Sequence, residues 1–381
     1  MQHRIVVLLL CLGCLISCSY SPGNKKSPDH SSGSKSAADA TGFTIEHSGK
    51  FKKLTVIDPW QKSSNNQFDY YLVERGKEIP EVIKGKQVIL VPLQNVVCLS
   101  TTHIGFLDAL GVLSTVSGLS GSAYLTNSEV RKGIEEKRVH EVGYDRGLNY
   151  EMIVKLKPDV VFAYGVGSEV NAQINKLHDL GIPVVLVGEY LEQTPLGKAE
   201  WIKFFGAFYG KEEEADAIFM KIKSGYNSIK SSVSEEKVKP YVLTGLPFKD
   251  TWWMAGGRSN LAVLIEDAGG KFLWNENTSR EAFPVSLEEV FLQAAKADFW
   301  INCGSVTKMD ELMAFDARFS QLPAVKNSQV YNNNLRTSPG GGTDYWESGV
   351  VHPDLILKDL VKIFHPHISD DKDFSYYRKI N

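Results

Sequence analysis

Two stretches of the chain carry the same order of polar and apolar positions. Residues 149–162 begin with an asparagine, place Glu151 two positions later, and end in an apolar run that follows an aspartate. Residues 286–301 repeat this order, with a serine first and Glu288 two positions later. Each stretch predicts a capped amphipathic helix that leads into a buried strand. Two copies of one unit, far apart in the chain, indicate two similar lobes.

Short apolar runs alternate with helical patterns in both halves of the chain, which predicts parallel sheets with helices on their faces. Residues 43–97 instead predict strands and hairpins. Residues 198–234 carry apolar side chains at helical spacing, with Gly210 as a candidate break, and predict either a long connecting helix or a surface helix of one lobe. We prefer the connecting helix, which leaves an N-terminal lobe over 43–197 and a C-terminal lobe over 235–381.

The N-terminus has the pattern of an export signal. Residues 5–16 are almost all apolar, a run too short to span a bilayer but long enough for a signal-peptide core. The run ends in Leu15-Ile16-Ser17-Cys18, which resembles the lipobox of bacterial lipoproteins. That resemblance implies a signal peptide over 1–17 and a lipid on Cys18; a plain secreted protein or an uncleaved anchor is the alternative. Residues 18–42 are rich in small and polar side chains and predict a flexible tether.

Composition narrows the function. The chain is 43% hydrophobic and 23% charged, with a net charge of −3, so it has no electrostatic footprint for nucleic acid. Of its five cysteines, Cys11 and Cys14 lie in the predicted signal peptide and Cys18 is the lipidation candidate. Cys98 and Cys303 follow apolar runs in different halves, where buried free thiols are the commoner arrangement and a disulfide is the alternative.

The body of the chain, from about Thr55 to Phe364, resembles the ABC-importer substrate-binding proteins of the vitamin B12, ferric-siderophore and haem class. No single motif is diagnostic, but their order and spacing behind a lipobox are specific. The resemblance lies in the segments 101–111 (TTHIGFLDALG), 156–161 (LKPDVV), 181–185 (GIPVV) and 346–355 (WESGVVHPDL).

The resemblance implies two Rossmann-like lobes with parallel sheets, joined by one long helix, with the ligand in the cleft between them. It also implies a binding protein rather than an enzyme. Such a protein would capture a ferric siderophore, haem or cobalamin and deliver it to an ABC permease dimer with its ATPase subunits. We therefore expect a monomer that is lipid-anchored outside the cytoplasm, with no intrinsic cofactor and no resident metal.

In this family, a surface glutamate on each lobe docks on the permease, which points to Glu151 and Glu288. Their local sequence supports this role, because Asn149 and Ser286 are good N-caps and would place both glutamates at the second helical position. Ser286 and Glu289 form a capping-box pattern, which leaves Glu288 free to point outward. The alternative is purely structural, since acidic residues stabilise first turns through the helix dipole.

A cleft for a large flat chelate needs aromatic faces and a few polar anchors. The resemblance places aromatic contacts in loops near both glutamates and in the loops that lead into C-terminal helices; packing at a lobe edge is the alternative for each, and at most one of the adjacent tryptophans would face the ligand. Thr102 and His103 are expected at the end of an N-terminal strand, where His103 is either an axial ligand or a structural histidine. The candidate ligand-binding residues are Thr102, His103, Tyr144, Tyr164, Trp252, Trp253, Arg258, Phe283, Arg336 and Tyr345.

The ligand stays open at this point. At Tyr144, Tyr164 and Phe283 the chain has Tyr or Phe where corrinoid binders often carry tryptophan, and no three arginines lie together as catecholate binders often have. Binding of free zinc or manganese is one alternative, but the nine histidines are scattered. A secreted enzyme is a remote alternative, since residues 118–122 (GLSGS) are not a nucleophile elbow and residues 340–342 lack the lysine of a phosphate loop.

Overall fold

The computed structural model describes residues 35–36, 38–61, 63–144, 147–165, 170–249, 251–369, 371 and 373–381. The predicted signal peptide, the lipidation candidate Cys18 and most of the predicted tether lie outside the described residues. Among the helices that the structure describes, none combines the length and apolar character needed to cross a bilayer.

The described residues form an α/β fold with short strands and mostly short helices. The strands are β1 (Lys35–Ser36), β2 (Phe43–His47), β3 (Lys52–Ile57), β4 (Gln67–Glu74), β5 (Val88–Val91), β6 (Val96–Cys98), β7 (Val116–Leu119), β8 (His140–Glu141), β9 (Val160–Ala163), β10 (Val184–Leu186), β11 (Tyr241–Thr244), β12 (Pro247–Phe248), β13 (Thr251–Met254), β14 (Lys271–Phe272), β15 (Phe283–Ser286), β16 (Phe299–Ile301), β17 (Val330–Asn332) and β18 (Arg378–Lys379). The α-helices are α1 (Thr101–Ala109), α2 (Ser128–Glu135), α3 (Tyr150–Leu156), α4 (Val170–Asp179), α5 (Pro195–Tyr209), α6 (Glu212–Ser232), α7 (Asn260–Asp267), α8 (Leu287–Ala294), α9 (Met309–Phe315), α10 (Pro323–Lys326) and α11 (Pro353–Phe364).

Two sheets form the N-terminal lobe. Strands β1 to β5 pair in chain order and are antiparallel apart from the parallel β4–β5 pair, as the hairpin pattern predicts. Strands β10-β9-β6-β7-β8 form a fully parallel sheet, in which β9 and β10 are buried along their whole length. Such apolar strands are typical of a parallel sheet that is covered on both faces.

The C-terminal lobe repeats the plan. Strands β14-β11-β16-β17-β18 form a sheet that is parallel except at the β17–β18 edge. A smaller antiparallel sheet, β12-β13-β15, lies beside it and leads into helix α8. The expected α/β fold with two lobes and parallel sheets is therefore confirmed.

Each lobe has its own hydrophobic core, and helix α6 contributes to both. Its N-terminal half places Phe219 and Ile222 in the first core, whereas Tyr226 belongs to the second. The helical segment predicted over 198–234 consists of two helices, because the candidate break Gly210 takes up the left-handed conformation (φ 65°) and ends α5. Helix α5 packs within the first core, so α6 alone connects the lobes.

The ordered body begins before Phe43, where composition placed its start. Two buried carboxylates hold the end of the predicted tether: Glu200 accepts the backbone N–H groups of residues 38–40, and Glu192 accepts those of Thr41 and Gly42. Lys223 on α6 also pairs with Asp39, at 2.6 Å. Residues 38–42 therefore belong to the folded lobe, since carboxylates that accept several backbone N–H groups fix the chain firmly.

Candidate ligand-binding cleft

A cavity of about 620 Å³ lies between the lobes and is open to solvent. The N-terminal lobe contributes Thr102 at the start of α1, the short 3-10 helix Glu189–Leu191 and the first turn of α5. These segments follow the carboxyl ends of β6 and β10, where ligands bind in open α/β sheets. The C-terminal lobe contributes seven residues between 255 and 264, residues 280–282, and six residues between 345 and 356. This cavity, called the cleft below, is within the size range of small-molecule sites.

Aromatic side chains line the cleft on both sides. Trp60 and Tyr190 come from the N-terminal lobe, and Tyr345 and Trp346 from the C-terminal lobe. Trp346 is 57% exposed, so a broad apolar face is available to a ligand. Tyr345 lies beneath it, only 6% exposed, with the ring centroids 4.8 Å apart in an edge-to-face arrangement.

The polar floor of the cleft consists of Thr102, Glu189 and Lys198. Glu189 is 2% exposed, and its Oε1 accepts a hydrogen bond from the Thr102 hydroxyl at 2.8 Å. Burial raises the pKa of Glu189, although the Thr102 hydrogen bond and the charge of Lys198 oppose that shift. Burial lowers the pKa of Lys198, against the influence of Glu189 and Glu192. The floor is thus a desolvated site where charge is costly and hydrogen bonds are strong.

Two arginines stand at the C-terminal side of the cleft. Arg258 and Arg280 both line it and both are exposed. Among the described residues, neither guanidinium forms an ion pair with a carboxylate. Both guanidinium groups are therefore positioned where ligand oxygens could reach them.

The structure brings Thr102, Arg258 and Tyr345 into the cleft but places Trp252 in the core of the C-terminal lobe. Trp252 is fully buried, its indole N–H donates to the Thr244 carbonyl at 3.0 Å, and its ring lies 5.7 Å from that of Trp300. The expectation of a ligand contact at Trp252 is corrected, since β13 turns this side chain inward. Trp253 points the other way and is 55% exposed, but it does not line the cleft.

Three other aromatic candidates lie near the cleft rather than in it. Phe283 is half-buried against the C-terminal core, directly after the cleft residue Ala282. Tyr164 follows β9 and lies beside the buried His103 ring, outside the cleft lining. Tyr144 is exposed and packs against Tyr124, with ring centroids 5.4 Å apart, away from the cleft lining.

His103 lies in the first turn of α1 rather than at the end of a strand, because Ser100 caps the helix and starts it early. The imidazole is fully buried among Phe162, Phe205 and Tyr164, and neither ring nitrogen has a hydrogen-bond partner in the described part of the chain. Burial lowers the pKa of His103 to about 3, so the ring is neutral. It does not line the cleft, so the structure agrees with the structural alternative for His103 and not with an axial ligand in the cleft.

Arg336 lies in a second pocket, of about 300 Å³, on the other side of the lobe junction. Its guanidinium pairs with the Asp344 carboxylate. The same pocket contains Glu347, which crosses between the lobes: its two carboxylate oxygens accept the N–H groups of Thr126 and Asn127 at 2.8 and 2.6 Å. Arg336 therefore lies at the lobe junction and not in the cleft, which corrects the expectation that it anchors the cleft ligand.

Glu151 and Glu288 occupy the predicted positions. The Asn149 side chain accepts the Met152 N–H at 3.0 Å, and Ser286 accepts the Glu289 N–H at 3.2 Å, so both caps are formed. Both glutamates are exposed at the second position of their helices. Glu288 lies near Arg318, whose pKa is raised mainly by its hydrogen bond to Asp316 and to a lesser extent by Glu288.

Metal donors are not assembled in the described residues, where no three His, Cys, Asp or Glu side chains are placed to hold an ion. Cys98 and Cys303 are buried free thiols, each in a different core.

Known proteins that are similar to this chain identify its family. Residues 96–334 match the family model described as periplasmic binding protein. The chain belongs to the periplasmic binding protein family. An uncharacterized lipoprotein of Methanocaldococcus jannaschii is 27% identical over 326 residues, which cover 82% of this chain and 76% of the relative. An uncharacterized ABC transporter substrate-binding lipoprotein of Bacillus subtilis is 30% identical over 157 residues, 40% of this chain and 46% of the relative.

Solved structures share the fold at low identity. A possible iron-binding periplasmic protein of Staphylococcus epidermidis has a TM-score of 0.57 at 21% identity, over 72% of this chain and 99% of its own. A periplasmic heme-binding protein of Pseudomonas aeruginosa has a TM-score of 0.55 at 17% identity, over 74% of this chain and 96% of its own. A protein of an Fe3+-hydroxamate transport system from Saccharomonospora viridis has a TM-score of 0.54 at 17% identity, over 72% and 94%.

These matches establish the class of the protein. It is a periplasmic binding protein rather than an enzyme, and the Bacillus subtilis relative is named as a substrate-binding lipoprotein of an ABC transporter. Relatives that are named lipoproteins agree with an extracytoplasmic, lipid-anchored protein.

Sequence reasoning missed several cleft residues. Trp60, Glu189, Tyr190 and Lys198 line the cleft, and none was a candidate. Glu189 and Tyr190 follow strand β10, and the same edge rule that selected Thr102 would have selected them. Trp60 and Lys198 carry no comparable signal, because only the packing of distant segments brings them to the cleft.

Proposed function

We propose that this periplasmic binding protein captures a metal chelate (a ferric siderophore, haem or cobalamin) in the cleft and delivers it to an ABC permease dimer with its ATPase subunits. The observation that carries the proposal is the cleft itself: aromatic faces from both lobes surround a small polar floor. That arrangement suits a large ligand with an apolar face and polar edges. The heme-binding and Fe3+-hydroxamate proteins that share the fold support this ligand class.

The proposed mechanism is binding without chemical conversion. The lobes are joined by α6 and are also bonded across the junction by Glu347. Two connections restrict hinge motion, so we propose that the lobes close only slightly on the ligand. The loaded protein then docks with both lobes on the permease, where changes driven by ATP separate the lobes and release the chelate.

Trp346 provides a test of the cleft. Replacing it with alanine removes the exposed aromatic wall. We expect the affinity for the transported chelate to fall about tenfold, because aromatic side chains that become buried on binding contribute much of the affinity. Titration calorimetry with cobalamin, haemin and ferric siderophores measures the change. Trp253→Ala is the matched control, since it removes an equally exposed tryptophan outside the cleft. Loss of affinity in both variants, or in neither, would contradict this use of the cleft.

We further propose that Glu151 and Glu288 are the docking residues. Both are exposed acids at the same helical position in the two copies of the repeated unit, one on each lobe. Reversing both charges (Glu151→Lys and Glu288→Lys) is expected to weaken complex formation with the reconstituted permease at least about 100-fold, since each change puts like charges together at the interface.

The control for docking is a second double reversal, Glu129→Lys and Glu213→Lys. These acids are also exposed in the first turns of helices, α2 and α6, so the net charge and the helix-dipole effects change equally. The control should bind the permease nearly as the parent does. Ligand affinity should be unaltered in both double variants, and equal permease binding by both would rule out the docking role.

A further inference from the structure

The floor of the cleft contains a buried carboxylate oxygen that has no partner within the described part of the chain. Glu189 uses its Oε1 for the Thr102 hydroxyl, whereas its Oε2 is buried and accepts no hydrogen bond of normal geometry. The backbone N–H groups of Glu189 and Tyr190 lie near the carboxylate and only oppose the rise of its pKa. A buried acceptor without a donor is costly, and proteins rarely retain one without a reason. Because Glu189 lines the cleft, a ligand is positioned to supply the missing donor.

Lys198 is a second polar group on the cleft floor that a ligand has to satisfy. It lies in the first two turns of α5, half-buried on the same floor, and its charge and that of Glu189 influence each other. The two side chains do not form a direct ion pair. The floor therefore presents an acceptor and a donor that are separated. A ligand group that offers both an N–H and a carbonyl oxygen, as a carboxamide does, satisfies the two together.

The charges that line the cleft also favour a ligand without negative charge. Its lining has three basic residues (Lys198, Arg258 and Arg280) and four acidic ones (Asp58, Glu189, Glu192 and Glu281). The cleft therefore has no excess of positive charge to neutralise a polyanion. A ligand carboxylate placed on the floor would face Glu189 at short range in a desolvated site, where repulsion between like charges is strong.

From these observations we propose that the cleft selects a neutral or cationic metal chelate whose rim carries amide groups, one of which is held between Glu189 and Lys198. This inference rests on the proposed function and narrows its ligand class. It favours corrinoids and cationic hydroxamates over haem and tricatecholates, whose rims carry negative charge.

Two corrinoids test the inference, because they share the ring and differ at the rim. Dicyanocobinamide carries carboxamides, and dicyanocobyrinic acid carries carboxylates in their place. Ferrioxamine B, haemin and a ferric tricatecholate complete the panel in titration calorimetry. We expect cobinamide or ferrioxamine to bind best, and the carboxylate corrinoid to bind at least about tenfold more weakly than cobinamide, the effect of one charged hydrogen bond.

The variant Glu189→Gln should weaken the best amide-bearing ligand about tenfold and reduce the preference for the amide over the carboxylate corrinoid. Glu276→Gln is the matched control: it removes the same charge from an exposed position of the C-terminal lobe outside the cleft lining and should leave that preference unaltered. Thermal melting confirms that each variant is folded.

The outcomes separate the two proposals. Binding of none of the chelates would overturn the proposed function together with this inference. Tightest binding of haemin or of the tricatecholate would overturn the inference and leave the proposed function intact. Equal affinity for the two corrinoids, or an equal loss of preference in Glu189→Gln and Glu276→Gln, would also overturn the role of Glu189.

Discussion

Replacing Trp252 with alanine should lower the free energy of unfolding by about 3–5 kcal/mol, the usual cost of removing a large aromatic side chain from a core. Trp252 is completely buried and lies 6.0 Å from the Phe319 ring, so its removal leaves a cavity between strand β13 and the main C-terminal sheet. The Thr244 carbonyl also loses the indole donor. Urea unfolding followed by circular dichroism measures the effect.

The adjacent residue provides the control. Trp253→Ala removes the same side chain from the opposite face of β13, where it is 55% exposed, and should alter the free energy of unfolding by less than about 1 kcal/mol. Similar destabilisation by both substitutions would contradict the assignment of Trp252 to the core.

This pair shows what the sequence can and cannot determine. Strand alternation predicts that adjacent tryptophans point in opposite directions, which the structure confirms. Which of them points inward depends on how β13 pairs with β15, where Trp252 lies opposite Val285. That register is a tertiary property, so no local pattern distinguishes the two residues.

Local signals predicted the repeated unit more completely. Asn149 and Ser286 cap their helices as expected, because a cap depends only on residues three positions apart. The alternation of strands and helices likewise predicted the parallel sheets. The strand-edge rule would also have placed Glu189 beside the cleft, but its burial and its bond to Thr102 depend on a segment 87 residues away and could not be predicted.

The lobe junction is another feature that could not be predicted from the sequence. Gly105 on α1 lies directly against the backbone of Glu347, so closely that an added Cβ would come within 2.2 Å of its carbonyl oxygen. This close approach lets the Glu347 side chain reach the N–H groups of the other lobe. The sequence shows only a glycine in a helix and a glutamate in a loop, 242 positions apart, and nothing local links them.

Glu347 should make the stability of the junction depend on pH. It is 3% exposed, and burial raises its pKa from 4.5 to about 7, with a further contribution from Asp344. The folded protein therefore holds a proton between about pH 4.5 and 7 that the unfolded chain has released. Because the folded state binds more protons in that window, the free energy of unfolding should fall by about 3 kcal/mol as the pH rises through it, and should level off above it.

Urea unfolding between pH 5 and 8 measures this dependence, and Glu347→Gln isolates it. The variant cannot titrate but retains one acceptor for the two N–H groups, so it should lose about 1–3 kcal/mol at pH 5 and show a flatter profile. His352 lies nearby with a pKa that burial lowers, and it acts with the opposite sign, because a buried neutral histidine costs stability as the pH falls. His352 is present in both proteins, so subtracting one pH profile from the other removes its contribution. Parallel profiles for the parent and Glu347→Gln would show that the junction carboxylate does not take up the proton.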